Sequence, residues 1–121
     1  MQSGAKTYGK VARASVDQRS LEADLLLKAA SRLQAIHDAW DAKHTELGAA
    51  LHFNRKLWTI FLSEVTSATN PLPVEIRQNV ANLGLFVINQ TMSVLTNPQP
   101  RQLSSLILIN RELAAGLRGA A

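Results

Sequence analysis

FNRKLWTIFLSEVTSATNPLP, residues 53–73, divides the chain and decides its fold. Over Phe53–Val65 the apolar side chains recur at helical period and occupy more than one face, with no strand-like alternation. Thr66, Ser67, Thr69 and Asn70 with Pro71 and Pro73 then stop that helix and start another. Pro73 suits a first helical turn, where its missing N–H has no intrahelical acceptor, and Glu75 then lies at the positive end of the helix dipole.

Upstream, Leu47, Leu51, Trp58, Leu62 and Val65 form one stripe, weakened only at Gly48. Before it, Leu21, Leu25, Leu26, Ala29, Leu33, Ile36 and Trp40 recur at intervals of three and four on one broad face. No proline separates these two stripes. A helix of about 45 residues would be far longer than usual, so residues 41–46 read as a turn, capped by Asp41 or Thr45. Downstream, the third helix runs to about Thr96, where Asn97-Pro98-Gln99-Pro100 ends it. A fourth carries Leu103, Leu106, Ile107, Asn110, Leu113, Ala114 and Leu117, with Gly116 or Gly119 near its end. The expected fold is all-α, a compact bundle of about four helices. Residues 1–16 form a flexible basic N-terminal tail, and residues 17–121 a single helical domain.

With 46% hydrophobic and 18% charged residues, the 121-residue chain has the balance of a folded domain with one core. There is no cysteine, hence no disulfide, zinc thiolate or thiol nucleophile. No apolar run approaches the roughly 20 residues of a membrane span, and MQSGAKTYGK lacks the apolar segment of a secretory signal. The expected location is therefore cytoplasmic, without membrane insertion. The net charge of +4 invites nucleic acid as a partner, but Lys6, Lys10 and Arg13 sit in the tail while later basic residues are scattered among acids. Nucleic-acid binding is not expected. His37, His44 and His52 are seven and eight residues apart, too far for paired helical metal ligands. Gly84 and Gly116 stand alone, so there is no phosphate loop, and no triad or paired carboxylates stand out. The expectation is a non-enzymatic protein without metal or cofactor.

What remains is surplus apolar surface. In the third helix Ile76, Val80, Leu83, Val87 and Val94 form one seam, Leu85, Ile88, Met92 and Leu95 form another, and Phe86 widens the first. In the second helix the Trp58 seam is accompanied by Phe53, Leu57 and Ile60. The primary seams, through Trp58 and Leu83, suit the protein's own core; the secondary seams are left for a guest helix. The candidate groove comprises Phe53, Arg55, Leu57, Trp58, Ile60, Leu85, Phe86, Ile88 and Met92, with Glu64 and Arg55 at its border. Polar residues set into the seams, Asn54, Asn79, Asn82, Asn110 and Arg111, either satisfy groups inside the bundle or hydrogen-bond the guest.

These same segments, FNRKLWTIFLSEVTSATNPLP, EIRQNVANLGLFVI and LILINRELAAGLRG, resemble the flagellar biosynthesis regulator family FlaF of alphaproteobacteria, over about Ser20 to Gly119. The family's tail tyrosine is matched only loosely, by Tyr8. The resemblance implies a cytoplasmic protein of flagellum assembly that acts on flagellin with a second regulator, FlbT, and brings no cofactor. It implies either an export chaperone for flagellin, coupling secretion to assembly, or a post-transcriptional regulator of flagellin synthesis acting with FlbT and flagellin mRNA. A homo-oligomer that spends the surplus seam on itself is the third reading.

Overall fold

The stripes read from the sequence each become a helix. The computed structural model describes the backbone of residues 2–119 and the side chains of residues 17–119; the flexible tail expected over residues 1–16 lies outside the described side chains. Four long helices, α1 (Gln2–Asp38), α3 (Leu47–Thr66), α4 (Val74–Thr96) and α5 (Leu103–Gly119), are joined by short connections, and a one-turn helix, α2 (Trp40–Lys43), lies in the first of them. There is no strand among the described residues.

The break between α1 and α3 is real but is not made by a cap. Ala39 leaves helical geometry at φ −128°, ψ 48°, and a single turn of α2 and a 3-10 turn, His44–Glu46, lead into α3. Neither Asp41 nor Thr45 caps a helix; no side-chain cap hydrogen bond is made at either turn. The corner is held by backbone bonds instead, Ala42 N–H and Lys43 N–H both reaching the Ala39 carbonyl. At the other end of α3 the side-chain amide of Asn70 donates to the Glu64 carbonyl at 2.9 Å, while its oxygen accepts from Leu72 N–H at 2.9 Å. Asn70 thus adds a second donor to the Glu64 carbonyl, which also accepts from Ser67 N–H at 3.2 Å, and shapes the approach to Pro73, which occupies the N-cap of α4.

The core is built chiefly by α1, α3 and α5, with Val87 and Val94 of α4 added to it. Ala23, Leu26, Ala30, Leu33 and Ile36 of α1 are buried with Leu51, Leu57, Trp58 and Phe61 of α3 and Leu103, Leu106 and Ile107 of α5. Trp58 is fully buried and meets Phe61 edge-on at 5.6 Å between centroids. Three polar side chains share this interior. Trp58 Nε1 donates to Asn110 Oδ1 at 2.9 Å, and Asn110 Nδ2 donates to Asn54 Oδ1 at 2.7 Å and to the Leu26 carbonyl at 3.3 Å. One asparagine therefore ties α1, α3 and α5 together at a place where unpaired amides would be costly.

α4 stands outside that trio and packs chiefly on α3. Its buried stripe is Gly84, Val87, Thr91 and Val94. The Leu62 side chain fills the space a side chain at residue 84 would need, so glycine there is what brings the two helices together. The hydroxyl of Thr91 donates to its own helix at the Val87 carbonyl, 2.7 Å away, and can therefore be buried at little cost. The inward face is thus rotated from the expected primary seam: Ile76 is 46% and Leu83 37% exposed.

Candidate functional site

Of the eleven large hydrophobic side chains exposed among the described residues, seven lie on α4: Val74, Ile76, Leu83, Leu85, Phe86, Met92 and Leu95. At about 100° per residue these fall on two flanks of the buried stripe. One flank runs Ala81, Leu85, Ile88, Met92, Leu95, at alternating steps of four and three. This is the spacing by which one helix presents a continuous seam to another. Leu85 is 57% and Met92 51% exposed, and Ile88 is half-buried. The other flank, Ile76, Leu83 and Phe86, is shorter and interrupted. The polar back of the helix holds Gln78, Asn82, Asn89 and Ser93, and no charged residue occurs from Gln78 to Thr96. A surface helix uncharged over that length has the composition of an interface core, where charged residues are depleted.

The structure retains one half of the expected groove and dissolves the other. Leu85, Ile88 and Met92 share the continuous flank of α4, while Phe86 lies on the opposite flank. Leu57 and Trp58 belong to the core and offer no surface. Phe53 is covered by α1, with Lys28 and Arg32 over its ring at 5.8 and 5.5 Å. Ile60 is exposed but stands about 200° round α3 from Leu62, the residue that meets α4. Arg55 is directed toward His52, 3.4 Å away. The two secondary seams therefore lie on different sides of α3 and do not form one groove. The sequence reading failed here because periodicity gives each seam its own helix face but not the neighbour that face meets.

The polar set divides in the same way. Asn54 and Asn110 are interior structural residues. Asn79 and Asn82 are exposed on the back of α4 rather than set into a seam, with Gln78 Nε2 donating to Asn82 Oδ1 at 3.0 Å. Arg111 is exposed and lines a small cavity between α1 and α5 with Gln34, His37 and Leu108. The histidines are engaged separately: His37 with Asp38 at 2.9 Å and His44 with the Trp40 carbonyl at 3.0 Å, while His52 faces Arg55.

A second concavity, of about 240 Å³ and mostly apolar, lies where α1, α3, α4 and α5 meet the α3–α4 loop. Phe61, Val65, Leu72, Val80, Leu113 and Leu117 wall it, and Glu22 and Glu64 stand at its edge. Burial pushes the Glu22 carboxyl up from its ordinary 4.5 to about 7, helped by the negative charge of Glu64 and a hydrogen bond with it, and opposed by Gln18. Sequence reading missed this pair because Glu22 and Glu64 lie on different helices, each looking like an isolated surface acid.

The model of the flagellar protein FlaF family matches residues 4–117, nearly the whole chain. The chain belongs to the FlaF family. It is thus a flagellar protein, and the match reaches every helix of the bundle, including α4. No curated protein and no solved structure matches it. Among the described residues of this FlaF-family chain no helix is long and apolar enough to cross a membrane.

Proposed function

We propose that this FlaF-family protein binds flagellin in the cytoplasm as an export chaperone and couples its secretion to flagellum assembly, holding an amphipathic helical segment of flagellin along the Ala81–Leu95 flank of α4. The observation that carries the reading is the exposed, uncharged seam at steps of four and three on a helix otherwise attached to the bundle by small residues. An unassembled guest that orders as it binds loses conformational entropy, and a long apolar seam supplies the burial to offset it. No cofactor or catalytic group enters this function.

The test is calorimetry of this chain with flagellin, full-length and truncated at each end. Leu85→Glu and Met92→Glu each place a charge in the buried centre of the contact and should weaken binding by about tenfold or more. Ile60→Glu, on the far side of α3, should leave it unchanged. Variants that keep the wild-type circular dichroism and also the wild-type affinity would refute the seam. Absence of binding with full-length and both truncated flagellins would transfer the function to regulation of flagellin synthesis with FlbT.

A further inference from the structure

Two charges, Glu75 and Arg77, precede the uncharged length of α4. Arg77 is the only Lys or Arg on that helix, and it lines a cavity of about 170 Å³ with Val65 and Thr66 of α3 and Val74, Gln78 and Ala81 of α4. Ala81 is also the first residue of the apolar flank, so the cavity opens at the head of the seam. Arg77 Nε is buried and has no hydrogen-bond partner among the described residues. The ion pairs among those residues, Arg118 with Asp24 and His37 with Asp38, lie elsewhere. A desolvated guanidinium N–H is costly until it meets an acceptor, and the planar fork of arginine matches a carboxylate.

We propose that Arg77 is the polar anchor of the α4 seam, receiving the carboxylate of an Asp or Glu side chain at one end of the guest helix and thereby fixing the direction in which the guest lies. This rests on the reading of α4 as a guest seam. An apolar stripe by itself accepts a helix in either direction; a single charge at one end breaks that symmetry. No charge occurs from Gln78 to Thr96, and Glu75, the other charge of α4, falls with Asn82 and Ser93 on the polar back of the helix, whereas Arg77 falls on the flank with Ile88 and Leu95 and is the charge able to do so.

The experiment is calorimetric titration of flagellin into wild type, Arg77→Met, Arg77→Lys and Leu85→Glu, at about 50 and about 300 mM salt, after circular dichroism has verified each fold. Arg77→Met keeps the apolar stem and should weaken binding about tenfold and flatten its salt dependence. Arg77→Lys keeps the charge and should retain most of the affinity. If Arg77→Met binds with wild-type affinity and salt dependence while Leu85→Glu does not bind, the anchor is overturned and the seam stands. If Leu85→Glu also binds like wild type, or if wild type binds no flagellin, both are overturned.

Discussion

Replacing Asn110 by leucine should cost about 3 kcal/mol, and removing its neighbour Asn54 as well should recover part of that loss. The asymmetry follows from the bond pattern. Asn110 accepts from Trp58 Nε1 at 2.9 Å and donates to Asn54 Oδ1 at 2.7 Å and the Leu26 carbonyl at 3.3 Å, all in a fully buried site. Leucine at 110 leaves the indole N–H without an acceptor. It also leaves the Asn54 amide with nothing, because Asn54 Nδ2 has no partner among the described residues even in the wild type. Two orphaned groups at roughly 1–3 kcal/mol each, less about 1 kcal/mol for the added apolar contact, give the figure. Asn54→Leu is different: it removes an amide already half unsatisfied, while Asn110 keeps Trp58 and Leu26. Its cost should lie within about 1 kcal/mol.

In the double variant only the indole N–H remains orphaned, so Asn54→Leu/Asn110→Leu should be more stable than Asn110→Leu alone. This inverts what additive losses would give. Urea unfolding followed by far-ultraviolet circular dichroism and by the fluorescence of Trp40 and Trp58, with unchanged m-values, measures all three. Equal costs for the two single variants, or a double variant less stable than Asn110→Leu, would show that packing rather than hydrogen bonding governs this part of the core.

Two further outcomes follow from Glu22 and Gly84. A carboxyl with a folded pKa of about 7 against 4.5 binds more protons when folded, so its contribution to stability is present below pH 4.5 and lost as pH rises through about 7. The linkage ceiling is about 3.4 kcal/mol, which solvent screening of this partly exposed group reduces to about 1 kcal/mol; Glu22→Gln should accordingly raise the melting temperature at pH 8 and remove the decline between pH 5 and 7, and parallel pH profiles for the two proteins would contradict this. A Cβ at position 84 would stand 2.6 Å from Leu62 Cδ2, so Gly84→Ala should cost about 1 kcal/mol through a shift of Leu62, whereas Gly84→Val should force α4 from α3 and cost about 2–3 kcal/mol. Urea unfolding within 0.5 kcal/mol of wild type for Gly84→Val, a threshold on the order of ordinary surface effects, would show that the helices do not meet there.

The boundaries of the fold were legible because prolines write them: Pro71, Pro73, Pro98 and Pro100 bracket α4 and precede α5. The corner at Ala39 was legible as a break but not as a shape, since backbone torsions and main-chain bonds form it and no side chain signals them. The face of α4 was misjudged for a related reason. Counting apolar residues at helical period scores Gly84 as empty and Thr91 as polar, yet these make the close approach to α3: glycine because Leu62 needs the room, threonine because its hydroxyl is bonded within the helix. Asn110 and Asn54 were recognisable as amides that needed partners, but their partner in Trp58 required the packing of α3 against α5.

That inversion on α4 bears directly on function. A helix serving only its own bundle turns its largest side chains inward, because each buried Leu, Phe or Met stabilises the fold by about 1.5–3 kcal/mol. α4 does the reverse, attaching itself through Gly84, Val87, Thr91 and Val94 and leaving Leu83, Leu85, Phe86, Met92 and Leu95 outside. Neither helical period nor folding stability requires those residues to be large, since their positions face solvent in the free protein. Moving apolar volume from the inward to the outward face weakens the fold and is compensated only when something covers that face. The Asn110 bonds tie α1, α3 and α5, while α4 joins the same core only through Val87 and Val94, which leaves the outward flank of that helix able to serve as a platform for a guest.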